Sequence, residues 1–387
     1  MKALVYGLAR SGQAASERLV ERGDEVVQVD RSLGNEEDEG LLDGVDVVVK
    51  SPGVPGEAPI LRAARERGVP VWAEVELGFR LLPPGARLVG ITGTNGKTTT
   101  SELLGAIMRA AGRDVVVAGN VGTPLTSVRN GDWIVCELSS FQLEDVATLA
   151  CDVAVLLNLE PDHLDRHGTF EAYRDAKLPN FERAAAKIVP RGLGLEGIEF
   201  STDDPLPAEP LLRGAHNREN AAAAAAAARA AGVDEPAIAE GLRSFPGVPH
   251  RLEPVGDAGG VCFVNDSKAT NVAAARRGLA AYEDEPVHVI LGGSLKGEDF
   301  RPLAAAIGSN VLSVHLIGEA APALAEALPG LPAHYDGTLE QAVAHAFDGA
   351  RPGDVILLTP ACASYDQFEN FEQRGDAFRR LARELGA

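Results

Sequence analysis

The chain has 387 residues, more than one compact core usually holds, and its 45% apolar and 24% charged residues are typical of folded globular proteins. The formal net charge of −20 disfavours nucleic acid and anionic membrane surfaces as partners. No stretch reaches the roughly 20 apolar residues of a membrane span, and residues 1–7 read as a strand that enters a glycine turn, not as a signal peptide. Four cysteines without CxxC spacing favour buried free thiols. We therefore expect a cytoplasmic protein.

The first third of the chain alternates short apolar runs with a helical stretch. Strands are predicted at residues 3–6, 26–29 and 45–49, with a helix around residues 14–22. The run Pro83-Pro84-Gly85 then interrupts both patterns. The first domain is therefore expected to span residues 1–84, with a Rossmann-like fold.

The same alternation continues twice more. A central domain over residues 85–247 contains predicted strands at 87–91, 115–118, 133–137 and 153–157 and helices at 98–111 and 218–231. A Pro-Gly-Val-Pro break at residues 246–249 precedes a last domain, residues 248–387, with predicted strands at 261–265, 287–291, 314–317 and 355–358. The fold class is three consecutive α/β domains with parallel sheets.

A glycine-rich loop between a strand and a helix carries the strongest chemical signal. It reads Gly93-Thr94-Asn95-Gly96-Lys97, followed by Thr98 and Thr99. Glycines let backbone N–H groups face phosphate oxygens, and the helix N-terminus adds partial positive charge. Lys97 is expected to reach the β- and γ-phosphates and the Thr98 hydroxyl a Mg²⁺ ion. The alternative is a plain glycine turn that contains a lysine by chance.

A second glycine turn, Gly7 to Gly12, follows the first strand, and Asp30 closes the second strand. The pattern resembles a dinucleotide-binding fingerprint with alanine at the middle glycine. It is compatible with an NAD-dependent oxidoreductase. A nucleotide-sugar diphosphate presents the same pyrophosphate and ribose, so both ligands stay open at this point.

Acidic and polar residues follow the later strands of the central domain. Glu137 ends one predicted strand, and His163 lies in the polar stretch after the next. Ligands of open parallel sheets bind at this carboxyl edge, so the two side chains are expected near a metal beside the γ-phosphate. A structural histidine is the alternative for His163.

Three strand ends of the last domain are also polar, at residues 265–271, 292–296 and 359–364. Together they suit a small ligand that carries carboxylates. Helix capping explains the serines, threonines and asparagines equally well, but it does not explain Lys268 and Lys296.

Taken together, these residues resemble a known family. Residues 92–98, the run Glu137-Leu138-Ser139-Ser140, His216-Asn217 with Asn220, and Pro249-His250-Arg251 are similar to motifs of the Mur ligases of peptidoglycan synthesis. Residues 265–271 and 360–375 resemble the branch of that family that adds D-glutamate. The resemblance spans all three domains.

The resemblance implies an ATP-dependent ligase that joins D-glutamate to UDP-N-acetylmuramoyl-L-alanine through an acyl phosphate, acting as a monomer. A sister Mur ligase or a folate-type ligase with another amino acid is the nearer alternative. The Asp-Asn-Pro-Arg signature of the diaminopimelate-adding ligase is absent from the sequence, and residues 360–375 are foreign to the folate enzymes.

The resemblance also implies residue roles. Catalysis is assigned to Lys97, Glu137, His163 and Lys177. ATP binding is assigned to Gly93, Thr94, Asn95, Gly96, Lys97, Thr98, Thr99, Asn217, Asn220, Arg251 and Asp266. The UDP-linked substrate is assigned to Arg10, Ser11, Asp30, Arg31, Ser51, Pro52, Gly53, Asn120, Ser139 and His163. D-glutamate is assigned to Lys268, Thr270, Lys296, Ser364, Tyr365 and Phe371.

Lys177 matches the position of a carbamylated lysine in the family, so CO₂ is expected as a modifying group. The resemblance implies two Mg²⁺ ions, held by Thr98, Glu137, His163 and the carbamate. The alternative is a surface lysine on a helix over residues 170–181, paired with Asp175 or Glu182. Two departures from the family are Tyr365, where leucine is usual, and a short stretch at residues 178–216.

Overall fold

The computed structural model describes residues 1–212, 214–295, 297–330 and 332–387. The apolar runs form the strands of three sheets, and helices occupy the intervals between them. The strands are β1 Lys2–Tyr6, β2 Glu25–Val29, β3 Val47–Lys50, β4 Val71–Ala73, β5 Arg87–Thr92, β6 Val115–Gly119, β7 Trp133–Glu137, β8 Val153–Leu156, β9 Ala186–Pro190, β10 Ile198–Phe200, β11 Glu253–Ala258, β12 Val261–Asn265, β13 Val287–Gly292, β14 Val311–Ile317, β15 Ala333–Gly337 and β16 Val355–Leu358.

The helices are α1 Arg10–Glu21, α2 Pro59–Glu66, α3 Glu74–Arg80, α4 Lys97–Ala110, α5 Ser140–Leu143, α6 Leu164–His167, α7 Phe170–Lys177, α8 Pro179–Glu182, α9 Ala215–Ala230, α10 Glu235–Ser244, α11 Val272–Ala280, α12 Arg301–Ala304, α13 Ala321–Ala327, α14 Leu339–Gly349 and α15 Phe371–Glu384. Short 3-10 turns occupy Arg31–Leu33, Glu39–Leu42 and Leu125–Ser127. The alternation of strands and helices confirms the α/β fold class.

The first sheet has four parallel strands in the order β2-β1-β3-β4. Its central strands β1 and β3 are buried along almost their whole length, which explains their unbroken apolar sequences. Helix α1 begins at Arg10, directly after the glycine turn and four residues before its predicted start. The carboxyl ends of β1, β2 and β3 therefore meet at one edge of the sheet.

The second sheet has six strands in the order β10-β9-β8-β5-β7-β6, all parallel. The glycine loop follows the central strand β5 and leads into α4, the position of a phosphate loop in such sheets. Helices α4, α9 and α10 pack together, and the alanines of α9 are buried there. The predicted helix over residues 170–181 is wrong in its extent: α7 ends at Lys177, and Pro179 begins a separate short helix.

The third sheet has six strands in the order β11-β12-β16-β13-β14-β15. Five of them are parallel, whereas β11 pairs antiparallel with β12 at the edge. The sequence patterns did not predict β11. Its Pro254 lacks an N–H donor, which an edge strand tolerates because one of its sides is unpaired.

The chain divides into two compact units, residues 1–211 with 215–245 and residues 212–214 with 246–387. The first unit contains the first two sheets and the second unit the third. Within the described ranges, no helix combines the length and apolar character of a membrane span. All four cysteines are free thiols, and three of them are buried, which agrees with the expectation from their spacing.

Candidate active site

The glycine loop after β5 has the backbone shape of a phosphate cradle. Gly93 and Gly96 adopt φ values of 153° and 83°, which only glycine reaches without strain. A Cβ atom at Gly96 would lie 2.2 Å from Oδ1 of Asn220, so the loop also approaches α9 closely. Helix α4 begins at Lys97, directly after the loop, so the partial positive charge of the helix N-terminus lies at the loop. This geometry suits the binding of an anion.

Two ammonium groups lie against the same loop. The Nζ atom of Lys97 donates to the carbonyl oxygens of Gly93 and Thr94, at 3.0 and 2.9 Å. The Nζ atom of Lys177 donates to the Gly93 carbonyl at 2.9 Å and lies 4.6 Å from the centre of the Tyr173 ring. Lys177 is only 1% exposed, so the alternative of a surface lysine paired with Asp175 or Glu182 is wrong.

The environment of Lys177 changes its protonation. Burial, and after it the charge of Lys97, lower the pKa of the Lys177 ammonium to about 7. At pH 8 this amine is mostly neutral, whereas an ordinary lysine is almost fully protonated. A neutral amine has a lone pair and is therefore able to react with CO₂.

Residues after β8 hold the phosphate loop in place. The Asn158 side chain accepts hydrogen bonds from the backbone N–H groups of Thr94 and Asn95, at 3.1 and 2.8 Å. Asn95 in turn donates to the Glu160 carboxylate, and the Thr94 hydroxyl contacts the Tyr173 hydroxyl at 3.0 Å. The sequence analysis assigned no role to Asn158 or Tyr173. The polar stretch after β8 was the available signal, but only the fold shows that it supports the loop.

Two further residues assigned to ATP lie next to this loop. Asn217 and Asn220 are buried on one face of α9, and the Asn220 amide donates to Oδ1 of Asn217 at 3.3 Å. Thr98 and Thr99 lie in the first turn of α4. The structure thus brings the first-unit residues of the predicted ATP site together around Gly96.

Glu137 lies at the carboxyl end of β7, between β5 and β6. Its carboxylate is buried and accepts a hydrogen bond from the Asn120 amide at 3.1 Å. Asn120 follows β6, so this hydrogen bond joins a residue assigned to the UDP-linked substrate to one assigned to catalysis. The described residues contain no group of three or more His, Cys, Asp or Glu side chains that could hold a metal.

His163 is in a different setting from Glu137. Its backbone is left-handed, with φ of 51°, and its ring lies 4.8 Å from Phe141 and beside Asp162. His167, which the sequence analysis did not single out, stacks on Phe141 and contacts the Ser140 hydroxyl at 3.0 Å. Burial lowers the pKa of His167. Glu137 and His163 thus have separate immediate partners, and their common metal ion remains a prediction.

Several residues assigned to the UDP-linked substrate converge at the edge of the first sheet. The Asp30 carboxylate accepts a hydrogen bond from the N–H of Leu8 at 2.7 Å, and this bond lowers the pKa of Asp30. The Ser51 hydroxyl donates to the Gly7 carbonyl at 2.6 Å, so the loops after β1 and β3 are joined. Ser11 lies in the first turn of α1, and the exposed Arg31 begins the turn after β2.

Side chains also join this edge to the central sheet. Arg10 donates to the Gly122 carbonyl at 3.1 Å, close to Asn120 in sequence. Arg166 donates to the carbonyls of Pro52 and Val54 at 3.0 and 3.3 Å, on either side of Gly53. Ser139 caps α5 through a reciprocal pair of hydrogen bonds with Gln142. In the structure its hydroxyl therefore serves as a helix cap. Within the first unit, these contacts link the loops after β1 and β3 to the segments that carry Asn120 and His163.

Buried carboxylates fix the two sheets of the first unit to each other. Glu76 accepts hydrogen bonds from three consecutive backbone N–H groups, at residues 147–149. Glu74 is fully buried and accepts from the N–H and hydroxyl of Thr126, at 2.7 and 2.6 Å. Burial raises the pKa of Glu74 to about 7. Lys50 forms an ion pair with Asp145 across the same junction.

The second unit holds the other residues assigned to ATP. Asp266 follows β12, and its carboxyl accepts from the Thr359 hydroxyl at 2.9 Å and from the Leu252 N–H at 3.2 Å. Burial raises its pKa to about 7, while Arg251 acts in the opposite direction. Arg251 is half-buried in the turn before β11.

The residues assigned to D-glutamate lie at the carboxyl ends of β12 and β16 and at the start of α15. Lys268 and Thr270 follow β12, and the Lys268 ammonium lies 5.8 Å from the ring of Phe371. Ser364 is buried after β16, whereas Tyr365 is 72% exposed. Lys296, the remaining member of this set, lies outside the described residues.

The chain is similar to known proteins along almost its whole length. Residues 91–192 match the family described as Mur ligase middle domain, and residues 250–362 match the family described as Mur ligase, glutamate ligase domain. Curated relatives named UDP-N-acetylmuramoylalanine--D-glutamate ligase align over nearly the whole chain. The relative from Acidobacterium capsulatum is 41% identical over 98% of this chain and 95% of its own. The relative from Anaeromyxobacter dehalogenans is 42% identical over 98% and 97%.

Solved structures share the fold at lower identity. A UDP-N-acetylmuramate-alanine ligase from Thermotoga maritima has a TM-score of 0.65 at 18% identity, covering 99% of both chains. A MurF ligase from the same organism, solved in complex with ADP, has a TM-score of 0.58 at 18% identity, covering 90% and 91%. At these identities the structures support the fold of the chain and not its substrate.

Proposed function

This chain belongs to the UDP-N-acetylmuramoylalanine--D-glutamate ligases of the Mur ligase family, and we infer that it adds D-glutamate to UDP-N-acetylmuramoyl-L-alanine at the expense of ATP. The observation that carries this inference is the glycine loop at the edge of the central sheet. The side chains of Lys97 and Lys177 both donate a hydrogen bond to the Gly93 carbonyl of this loop. A ligase explains this loop. An oxidoreductase based on the turn from Gly7 to Gly12 does not.

The reaction follows from the chemistry of its substrates. A carboxylate oxygen of the alanine attacks the γ-phosphorus of ATP, and the bond from that phosphorus to the β-γ bridging oxygen breaks, giving an acyl phosphate and ADP. The amine of glutamate then attacks the acyl carbon and loses a proton, and phosphate leaves. The protein forms no covalent bond in this sequence, so it accelerates the reaction by positioning and by neutralising charge.

Lys97 is the residue best placed to neutralise the transferred phosphoryl group. Its ammonium already lies at the mouth of the loop, and the first-turn N–H groups of α4 point toward the same anion. When the phosphates bind, this ammonium is expected to exchange the carbonyls of Gly93 and Thr94 for phosphate oxygens. Asn158 holds the loop while this exchange takes place.

The residues present suit Mg²⁺. Magnesium uses one or two carboxylates together with substrate phosphates and water, so the lack of a three-residue ligand cluster among the described residues fits this ion. Glu137 supplies a buried carboxylate and Thr98 a hydroxyl, both hard oxygen donors. Bound there, the ion would neutralise the phosphate charges.

Lys177 is proposed to carry a carbamate. Its amine is buried beside the phosphate loop, where a positive charge next to Lys97 is unfavourable. The ammonium first loses a proton; the neutral amine then attacks the carbon of CO₂ and releases a second proton, so a cation becomes an anion with two oxygens. Such a group suits a second Mg²⁺ ion, with His163 as its further expected ligand.

The remaining assignments also stay proposals. The boundaries 1–84, 85–247 and 248–387 are expected to separate the UDP-substrate, ATP and amino-acid domains. Lys268, Thr270, Lys296, Ser364 and Phe371 are expected to bind the acceptor, whereas the 72% exposed side chain of Tyr365 is expected to contribute little to that site. The cytoplasmic location and the monomeric state likewise remain predictions.

The direct test is ATP-dependent phosphate release with UDP-N-acetylmuramoyl-L-alanine and a panel of amino acids. D-glutamate is expected to give the highest kcat/KM, because Lys268, Thr270 and Ser364 offer a cation and hydroxyls for its carboxylates. L-glutamate measures stereoselectivity, and diaminopimelate tests the sister-ligase alternative. Faster turnover with either of these would refute the assignment.

A further inference from the structure

Arg374 is the largest fully buried side chain among the described residues, with 1% exposure. It is the fourth residue of α15. A cation near a helix N-terminus opposes the helix dipole, and a buried charge loses its hydration. Burial accordingly lowers the pKa of its guanidinium to about 10. The position therefore costs stability, which calls for an explanation in terms of function.

Every N–H group of this guanidinium has an acceptor. Nε donates to the Ser267 hydroxyl at 3.0 Å, and Nη2 donates to the carbonyls of Ser267 and Cys362 at 2.9 and 3.0 Å. Nη1 donates to the carbonyls of Gly292 and Ala363 at 3.4 and 3.2 Å. All five acceptors are neutral oxygens. Within the described ranges, no carboxylate forms an ion pair with Arg374.

The five acceptors belong to three neighbouring strand ends. Ser267 follows β12, Gly292 ends β13, and Cys362 and Ala363 follow β16, which lies between the other two in the sheet. Arg374 thus joins the three polar segments for which the sequence predicted a ligand with carboxylates. The packing is tight, since a Cβ atom at Gly293 would lie 3.0 Å from Nη1.

The guanidinium contacts direct neighbours of the residues assigned to the acceptor. Ser267 directly precedes Lys268, and its hydroxyl donates to the carbonyl of Phe371 at 2.8 Å. Ala363 directly precedes Ser364. A single side chain therefore sets the spacing between the segments that carry Lys268, Ser364 and Phe371.

We propose that Arg374 is a positioning residue for the acceptor amino acid, whose five hydrogen bonds hold the three strand-end loops in the arrangement that binds a dicarboxylate. This inference rests on the proposed function, because it takes the acceptor site from it. The positive charge of Arg374 also favours an anionic ligand at this edge, although Asp366 interacts with the same guanidinium.

Arg374→Lys is the matched substitution, since lysine keeps the charge but lacks the planar five-donor fork. We expect the KM for D-glutamate to rise at least about tenfold, as for the loss of hydrogen bonds from a charged group. The KM values for ATP and for the UDP-linked substrate are expected to stay native. Arg380→Lys, the same change at an arginine of the same helix that is 62% exposed, is the control and is expected to change none of the three.

A second readout separates positioning from general damage. Hydroxylamine has no carboxylates and traps the acyl phosphate as a hydroxamate, so its formation does not need the acceptor pocket. We expect Arg374→Lys to form the hydroxamate at the native rate. An unchanged KM for D-glutamate, or an equal rise in all three KM values, overturns the proposal.

The two levels of inference fail in different ways. If the native enzyme forms no hydroxamate, or does not use D-glutamate, the proposed function is wrong. If the native enzyme does both and the variant keeps the native acceptor KM, only the role of Arg374 is wrong. Should Arg374→Lys not fold, Ser267→Ala tests the same contact by removing one acceptor, and a native KM for D-glutamate in that variant overturns the proposal.

Discussion

Replacing Lys177 by arginine tests the proposed carbamate. Arginine keeps a positive charge and N–H donors for the Gly93 carbonyl, but its guanidinium does not react with CO₂. With a pKa of about 7, roughly 90% of the Lys177 amine is neutral at pH 8. An unperturbed lysine with a pKa of 10.5 is only about 0.3% neutral at that pH. The buried site therefore raises the neutral, reactive fraction of this amine at pH 8 on the order of 300-fold.

The assay combines carbon-13 NMR with steady-state kinetics. In ¹³C-labelled bicarbonate the native enzyme is expected to show a carbamate signal that Lys177→Arg lacks. The kcat of Lys177→Arg is expected to fall at least about a hundredfold, the order reported for losing a charge-stabilising group. Lys187→Arg, on the partly exposed lysine of β9, is the matched control and is expected to keep both the signal and the activity.

Chemical rescue gives an independent check. Short carboxylic acids are expected to restore part of the activity of Lys177→Ala, because they place two oxygens in the space the carbamate would occupy. They are not expected to rescue Lys177→Arg, whose side chain fills that space. Full activity of Lys177→Arg, or the absence of a carbamate signal from the native enzyme, would refute the reasoning.

Three further predictions concern other parts of the first unit and the acceptor site. Lys97→Ala is expected to lower kcat at least about a hundredfold, because its ammonium lies at the phosphate loop; near-native turnover in phosphate-release assays of the folded variant would contradict this role. Glu74 has its pKa raised by burial from 4.5 to about 7, so its contribution to stability is present below pH 4.5 and lost as the pH rises through 7. Glu74→Gln keeps the acceptor for Thr126. Its free energy of unfolding, measured by urea titration, is expected to depend less on pH and to exceed that of the native protein by up to about 3 kcal/mol above pH 7. Parallel plots of this free energy against pH for the two proteins would contradict the prediction. Tyr365→Leu is expected to change the KM for D-glutamate less than about threefold, since the side chain is 72% exposed, and a larger change would place the ring in the pocket.

The local patterns were sufficient for the central strands of each sheet and for the phosphate loop, but not for β4, β9, β10, β11 and β15. β7 and β12 begin and end at their predicted residues, because both are uninterrupted apolar runs bounded by polar residues. The loop from Gly93 to Lys97 was also predictable, since its glycines are needed for backbone shape and not for packing. Lys177 was located by family resemblance, and the fold then showed that it is buried.

The supporting residues of the site were not predictable from local sequence. Asn158 and Arg374 act through contacts with segments 63 and 107 residues away, and nothing in their own neighbourhood indicates those partners. Glu74 and Glu76 are likewise buried at the junction of two sheets, and local sequence alone does not indicate this for two carboxylates. Such roles depend on which strand ends the topology brings together.

The most direct test of the central claim follows the oxygen atoms. UDP-N-acetylmuramoyl-L-alanine labelled with ¹⁸O in the alanine carboxylate is incubated with ATP, D-glutamate and the enzyme, and the products are analysed by mass spectrometry. The account predicts ADP, a product extended by one glutamate, and phosphate that carries one ¹⁸O atom from the broken acyl–oxygen bond. Unlabelled phosphate, or AMP with pyrophosphate in place of ADP, would contradict an acyl-phosphate ligase.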